Sequence, residues 1–330
     1  MAVVFGRCVR MLVLLSVVVL LVLAVGVDVC DGAWIEPTIL GPDDRIAYIR
    51  PRKTGSTSLV SFFRQAGWCE NHCVPGLGVC AECLYTWDCS RCPELMTTYK
   101  QCGECSHLML PLLRSRFSNV QRALIDRKGY GNGRMYTVML LRDPVDRLLS
   151  FFFFVRAACP YRGSEELAQE AQKKLIPLPW LINSPEDLQA AICDGDFETF
   201  LKLTPVHNEM ADLLVGISYF DPNITSQQCD NALMRLEEMA VVLLNEEMED
   251  GLHMLKATLI RPPEAPPPPR VPESQLFQQH VRASRSDPLR DAIRANATLV
   301  HMLKQYNHCD ERLYARAVQI FHEAKQRLLG

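Results

Sequence analysis

Two stretches of the sequence pass from an apolar, strand-like run through a polar loop into a helical pattern. The first is Ile46–Phe63, whose loop holds Lys53 among small hydroxyl residues. The second begins with the apolar run Tyr136–Leu141 and continues into a loop that starts at Arg142. In a parallel sheet covered by helices, the loops that follow the strands open onto one edge. The two stretches therefore predict an α/β fold with two cation-bearing loops side by side.

A third apolar run, Met239–Leu244, extends this pattern, because strands buried on both faces of a parallel sheet are apolar throughout. Segments with helical periodicity separate the strands and close the chain over Asp287–Leu329. The sequence therefore predicts a P-loop-like, three-layer fold, in which helices flank a parallel sheet. A cysteine-rich insertion at residues 69–105 and a loop at 261–274 with seven prolines interrupt it.

The first loop has the composition of an anion-binding site. Backbone N–H groups at a helix N-terminus are unpaired, the helix dipole favours negative charge there, and small side chains allow close approach. An ordinary capped strand–turn–helix is the alternative. The charge distribution favours an anionic ligand near the second loop, since Arg114–Arg162 holds ten Lys/Arg against three Asp/Glu. The net charge of −3 gives no indication of nucleic-acid binding.

Residues 11–27 form an uncharged, mostly apolar stretch that follows Arg7 and Arg10. This pattern predicts a signal anchor with a cytoplasmic tail at residues 1–10. A stem at 28–44 and a luminal domain at 45–330 would follow. The alternative is a cleaved signal peptide and a secreted protein, because Ala24 and Gly26 form a small-x-small cleavage site.

Cysteine usage fits a compartment outside the cytosol. Eight of the fourteen cysteines lie within residues 69–105, where they include three CxxC pairs. In an oxidising lumen such a cluster predicts disulfides, whereas zinc binding is the alternative that the spacing leaves open. Asn223 and Asn296 begin glycosylation motifs, which agree with the same compartment.

The segments RKTGSTSL at Arg52–Leu59 and LLRDPVDRLLSFFFF at Leu140–Phe154 resemble the two cofactor signatures of Golgi carbohydrate sulfotransferases. The resemblance is greatest to the heparan sulfate 2-O- and 6-O-sulfotransferases and to the uronyl 2-O-sulfotransferase. It implies an enzyme that uses 3′-phosphoadenosine-5′-phosphosulfate (PAPS) and no metal ion. The sulfuryl group would pass by in-line displacement to a hydroxyl of a glycan, such as a glycosaminoglycan-like polysaccharide.

The resemblance also implies roles for individual residues. Lys53 would stabilise the charge that grows on the departing phosphate oxygen, and Arg142 and Ser150 would bind the 3′-phosphate. The residues implied to bind the 5′-phosphosulfate are those of the first loop: Arg52, Lys53, Thr54, Gly55, Ser56, Thr57 and Ser58. Because Arg52 stands where an ATP-binding phosphate loop requires glycine, the sequence argues against a kinase or ATPase.

The acceptor hydroxyl needs a general base, which in the 2-O and 6-O enzymes is a histidine between the two loops. His72 and His107 are the histidines in that interval, and we predict His107 as the base. A carboxylate is the alternative, with four candidates: Glu70, Glu82, Glu94 and Glu104. Arg282 and Arg285 fall where the family has a loop that faces the cofactor or the substrate.

The sequence thus predicts a single-pass type II protein of the Golgi membrane with a luminal catalytic domain. Its partners would be the membrane, through the N-terminal helix, and an anionic polysaccharide or glycan acceptor; a homo-oligomer is compatible with the sequence. Two other hypotheses remain. One is an inactive PAPS-fold that serves as a disulfide-stapled glycan-binding ectodomain, and the other is a zinc-dependent interaction module.

Overall fold

A computed structural model provides the structure of the chain. It describes residues 34–41, 44–49, 51, 53–55, 58–59, 62–63, 69–73, 82–86, 134–173, 178–215, 224–263 and 287–329. The tail and signal anchor predicted for residues 1–27 lie outside these residues. Within them, none of the helices combines the length and the apolar composition that are needed to span a membrane.

The central sheet is parallel in its middle and antiparallel at one edge. Its strand order is β3-β4-β2-β5-β6, and a separate parallel pair joins β1 to β7. Strands β2, β5 and β6 run parallel, whereas β4 is antiparallel to both β2 and β3. The strands are β1 (Thr38–Ile39), β2 (Arg45–Ile49), β3 (Cys69–Cys73), β4 (Glu82–Thr86), β5 (Met135–Leu141), β6 (Val241–Leu244) and β7 (Leu259–Ile260).

The parallel centre agrees with the prediction, and the antiparallel edge differs from it. Strands β3 and β4 fall within the cysteine-rich segment that the sequence predicts as an irregular insertion. The strand Cys69–Cys73 reads CENHC, which lacks the apolar run or the alternation that reveals a strand. The other cysteines of the insertion, apart from those in these two strands, lie outside the described residues.

Helices cover the sheet and extend beyond it. The chain is also helical at residues 58–59 and 62–63, where the first loop was predicted to enter a helix. The helices with full bounds are α1 (Pro144–Arg156), α2 (Glu165–Lys173), α3 (Leu178–Ile182), α4 (Glu186–Asp194), α5 (Phe197–Leu203), α6 (Glu209–Val215), α7 (Ser226–Glu237), α8 (Met248–Thr258), α9 (Pro288–Ala295), α10 (Ala297–Tyr306) and α11 (His308–Leu329), with a 3₁₀ turn at Cys159–Tyr161.

Capping residues divide two segments whose periodicity predicts longer helices. Gly195 ends α4 with a φ of +84°, and the side chain of Asp196 then accepts the N–H of Thr199 to begin α5. In the same way, Asn296 accepts N–H groups at the start of α10. Periodicity continues across such breaks, which explains why the sequence pattern does not show them.

The apolar residues form two cores, and helix α1 belongs to the second of them. The first lies on the sheet and takes in residues of α6, α7, α8 and α11. The second lies under α1 and takes in α3, α4 and α5 together with residues of α9 and α10. Its centre is aromatic: the ring centroid of Phe152 lies 5.1 Å from that of Phe197 and 4.9 Å from that of Phe200.

A buried ion cluster joins α1 to the helices behind it. The guanidinium of Arg147 is fully buried, and its Nη1 lies 2.6 Å from Glu209. Its Nη2 lies 3.6 Å from Asp310 and donates to the carbonyl of Val206 at 3.0 Å. Both carboxylates are also buried, so Arg147 is the cation that compensates their charge.

Helices α6 and α11 cap each other inside this cluster. Asp310 of α11 accepts the backbone N–H groups of Met210 and Ala211, at 3.2 and 2.8 Å. In return, the side-chain oxygen of Asn208 accepts the N–H groups of Cys309 and Asp310. Burial raises the pKa of Asp310 to about 6. The two helix N-termini are therefore satisfied only when they are docked together.

In the described part of the chain, two disulfides join segments that are distant in sequence. Cys159 pairs with Cys193, with their Cα atoms 5.6 Å apart, and Cys229 pairs with Cys309, at 5.5 Å. The second disulfide ties α7 to α11 beside the buried ion cluster. Neither pair belongs to the cysteine-rich segment to which the sequence pattern draws attention.

We predict that Arg147→Met unfolds far more easily than the wild-type protein. The variant leaves Glu209 and Asp310 buried without their cation, which costs about 3–5 kcal/mol. Urea unfolding followed by circular dichroism measures the loss. The matched control is Arg316→Ala, which breaks the exposed Arg316–Glu237 pair and should cost no more than about 1 kcal/mol. Equal stabilities of the two variants would contradict the role given to Arg147.

Candidate functional site

The carboxyl ends of the three parallel strands meet at one edge of the sheet. Ile49 at the end of β2 is in register with Met139, and Leu141 at the end of β5 is in register with Leu244. The loop after β6 is held to β5, because the N–H of Asn245 donates to the carbonyl of Leu141 at 2.8 Å. The loops that follow the three strands therefore open onto this edge, as the sequence predicts.

The loop after β2 turns sharply around Lys53. Lys53 adopts a φ of +64°, which is uncommon for a residue with a Cβ, and Gly55 adopts +86°. Thr54 is fully buried, and its hydroxyl donates to the carbonyl of Pro51 at 2.9 Å. The N–H of Ser58 donates to the carbonyl of Gly55, which closes the turn that enters the helix.

A hydrogen bond joins this loop to the loop after β5. Arg142 Nη1 donates to the backbone carbonyl of Lys53 at 3.1 Å. Two of the predicted cofactor-binding residues, one from each loop, are thus brought together. Ser150 is half-buried two turns into α1, which begins just after Arg142. The remaining predicted loop ligands, Arg52, Ser56 and Thr57, lie outside the described residues.

Arg290 of α9 is a third cation at this place, which the sequence did not reveal. Its charge acts on both Lys53 and Arg142. The guanidinium lies against the ring of Phe153, with Cζ 4.8 Å from the ring centroid. Sequence position suggested Arg282 and Arg285 for this region, and both lie outside the described residues. Arg290 comes later, on α9, and only packing shows which arginine faces the loops.

Burial and the proximity of like charges act against the charged forms of these side chains, and two of their buried N–H donors lack an acceptor among the described residues. Burial, followed by the charges of Arg142 and Arg290, lowers the pKa of Lys53 to about 8. Burial also lowers the pKa of Arg142, against the opposite effect of Asp146 and Glu246. Within the described part of the chain, the buried Nε atoms of Arg142 and Arg290 have no hydrogen-bond acceptor. An anionic ligand would relieve both the repulsion and the unpaired donors.

Carboxylates behind the cations hold the second loop in place. Asp143 caps α1 by accepting the N–H of Asp146, and its own N–H donates to Glu246 at 3.1 Å. The hydroxyl of Tyr314 donates to the other oxygen of Glu246 at 2.9 Å, and the pKa of Tyr314 is raised by its burial and by this carboxylate. Asp146 in turn forms an ion pair with Arg294. The start of α1 is therefore tied to β6, α9 and α11.

The pairing of the strands shows how far the candidate bases in β3 and β4 lie from the edge where the loops open. The Cα of Glu82 is paired with that of Ile49, at the edge where the loops open, whereas His72 is paired with Leu84, which is level with Ala47 in the middle of β2. Glu70 lies farther from that edge, in register with Tyr85. His107 lies outside the described residues, as do Glu94 and Glu104.

No group of three or more His, Cys, Asp or Glu in the described residues could hold a metal ion. The three CxxC pairs leave zinc binding as an alternative. Of their cysteines, Cys83 lies in the described part of the chain and the others lie outside it. The side chains that do converge at the sheet edge are cations, whose chemistry suits an anion.

Comparisons with known proteins agree with this geometry. A family model with the description "Sulfotransferase family" matches residues 36–321. The matched segment includes both loops, Arg290 and most of α11. A comparison with curated proteins finds no match.

We predict that the cation cluster binds small multivalent anions without any other ligand. Single replacement of Lys53, Arg142 or Arg290 by alanine should weaken pyrophosphate binding by about tenfold, because each removes a charge-assisted hydrogen-bond donor. Isothermal titration calorimetry at low ionic strength measures the affinity. Arg312→Ala, which removes an exposed arginine paired with Asp230, is the control and should bind as the wild type does. Wild-type affinity in all three cluster variants would contradict the prediction.

Proposed function

The chain belongs to the sulfotransferase family, and we propose that it transfers a sulfuryl group from PAPS to a hydroxyl of a glycan. The observation that carries this proposal is the convergence of Lys53, Arg142 and Arg290 at the carboxyl edge of the sheet. PAPS carries phosphate at both its 5′ and 3′ positions. A site with cations from three separate segments suits such a donor better than a single phosphate loop would.

The two loops would divide the donor between them. Lys53 and Thr54–Ser58, with Arg52, would hold the 5′-phosphosulfate, where backbone N–H groups at the start of the helix favour negative charge. Arg142, with Ser150, would hold the 3′-phosphate. The arginine Nε atoms that are buried without acceptors support this assignment, because a phosphate oxygen offers the acceptor that each lacks.

Lys53 would act on the charge that develops during transfer. The donor supplies a sulfuryl group whose bond to the bridging phosphate oxygen breaks as the acceptor oxygen bonds to sulfur. An ammonium at that bridging oxygen stabilises its growing charge without a metal ion. The turn at Lys53 and the hydrogen bond from Arg142 to its carbonyl hold the backbone of the residue in place.

We propose His107 as the group that removes the acceptor's proton, with Glu82 and His72 as alternatives. The strand register supports Glu82, since its backbone is paired with Ile49 at the edge where the loops open, whereas His72 lies level with the middle of β2. Replacing each of the three residues by alanine should identify the base, because only loss of the base abolishes sulfuryl transfer and leaves PAPS binding intact.

The proposal also includes the layer arrangement of the fold and the compartment in which the protein lies. A three-layer, P-loop-like arrangement is supported by the parallel order of β2, β5 and β6 with helices packed against it. A luminal, Golgi-membrane location is supported by the disulfides Cys159–Cys193 and Cys229–Cys309, since disulfides persist in oxidising compartments. The predicted signal anchor at residues 11–27 would retain the protein there, and an anionic polysaccharide would be the acceptor.

We predict that the purified full-length protein labels a glycan when it is supplied with radioactive PAPS. A panel of desulfated glycosaminoglycans and other polysaccharides provides the acceptors. Lys53→Ala should lower kcat by about 10²–10³-fold, the usual loss for a group that stabilises transition-state charge. Arg312→Ala is the control for general damage. PAPS binding with no labelled acceptor would favour the inactive glycan-binding alternative, and failure to bind PAPS would contradict the proposal entirely.

We also predict a loss of kcat/KM for the donor as pH rises through about 8. With its pKa lowered to about 8, Lys53 is charged below that pH and neutral above it, so free enzyme loses the ammonium on the alkaline side. In kcat this loss should occur at higher pH, because a bound anion favours the charged amine. A pH profile of Lys53→Arg is the control: its guanidinium stays charged, so the alkaline loss should disappear.

A further inference from the structure

The ammonium of Lys53 lies over the face of an aromatic ring. Its Nζ is 3.9 Å from the centroid of the Phe154 ring, well within the range of a cation–π contact. Phe154 is half-buried near the end of α1, on the helix whose first turn follows Arg142. Because the ring face carries the negative part of the quadrupole, this contact favours the charged form of the amine.

The preceding residue makes the same contact with a different cation. Phe153 receives the guanidinium of Arg290, with Cζ 4.8 Å from the ring centroid. Successive residues of a helix point roughly 100° apart, so the two rings face different chain segments. The ring of Phe154 contacts Lys53 in the loop after β2, whereas the ring of Phe153 contacts Arg290 on α9. This separation makes Phe153 a matched control for Phe154.

The backbone of Lys53 fixes where its side chain begins. Its φ of +64° is maintained in a turn in which Arg142 donates to its carbonyl and Thr54 donates to Pro51. Such a conformation is costly for a residue with a Cβ and persists only where surrounding contacts impose it. The backbone from which the side chain of Lys53 extends to Phe154 is therefore held by contacts within the loop and by Arg142.

The charged groups that face Lys53 act against its ammonium form. Arg142, at the end of β5, and Arg290, on α9, are both like charges, and burial disfavours the ammonium further. The ring of Phe154 acts in the opposite direction. Without it, the described neighbours of Lys53 would leave more of the amine neutral at a given pH.

We propose that Phe154 is a positioning residue for Lys53, whose ring face holds the ammonium at the sheet edge and keeps it charged beside two arginines. The role of Lys53 in sulfuryl transfer rests on the proposed function. The contact between lysine and ring is independent of that role, because it joins two side chains of the chain itself.

The test measures the pKa of Lys53 in the ligand-free, full-length protein. Competitive acetylation with acetic anhydride across pH, followed by peptide mass spectrometry, reports the titration of this one amine. Phe154→Leu and Phe154→Met retain apolar volume but lose the ring, and each should lower the pKa of Lys53 by about 0.5 to 1. Phe154→Tyr retains the ring and should leave it unchanged. Phe153→Leu, which affects the contact of Arg290, should not lower it, because any displacement of that positive charge would raise the pKa of Lys53.

An unchanged or raised pKa of Lys53 in the two ring-free variants would overturn the proposal. So would an equal decrease in Phe153→Leu, because the effect would then come from general loosening of α1. The thermal unfolding midpoint of each variant identifies any that fail to fold, and either ring-free variant alone is sufficient for the decision.

A second readout links the contact to turnover. In Phe154→Leu, the alkaline loss of kcat/KM for PAPS should move to lower pH by the same amount as the pKa of Lys53, whereas a purely structural defect would lower activity equally at all pH values. If no sulfuryl transfer is found in the wild type, the proposed function fails, while the order of the lysine pKa values among the variants still decides the role of Phe154.

Discussion

The structure depends on the compensation of one buried charge. Arg147 is fully buried on α1, and its partners Glu209 and Asp310 come from two other helices. A charge that is removed from water must find opposite charge and hydrogen-bond acceptors, or the helix that carries it cannot pack there. The position of α1 is therefore defined from its core side. Two cations of the site, Lys53 and Arg290, contact aromatic rings of the same helix.

Helix α1 thus has two different electrostatic environments. On its buried side, two carboxylates surround one arginine, and burial raises the pKa of Asp310 to about 6. Toward the loops, burial and the like charges of Arg142 and Arg290 lower the pKa of Lys53 to about 8. Acidic residues behind the loops, such as Glu246, hold the backbone, because Glu246 accepts the N–H of Asp143.

The sequence predicts the parts of the site that local chemistry determines. An apolar strand followed by a loop with a cation is a local pattern, so Lys53 and Arg142 were found, and the parallel register explains why they meet. Arg290 could not be found in this way, because its place depends on how α9 packs against Phe153. The edge strand Cys69–Cys73 was missed for a related reason: edge strands need little apolar sequence when a neighbour supplies the hydrogen bonds. The residues that match the family model, 36–321, include the features that the sequence predicts and those that it does not.

The mutual capping of α6 and α11 has a consequence for the order of folding. Asn208 and Asp310 lie about 100 residues apart in sequence, yet each satisfies the first N–H groups of the other's helix. Closing so long a loop is entropically costly and comes late, after local helices have formed. Arg147 has its full set of partners only once α11 has docked. We therefore expect the position of α1, and with it the contacts that the helix makes at the site, to become fixed only after α6 and α11 have docked.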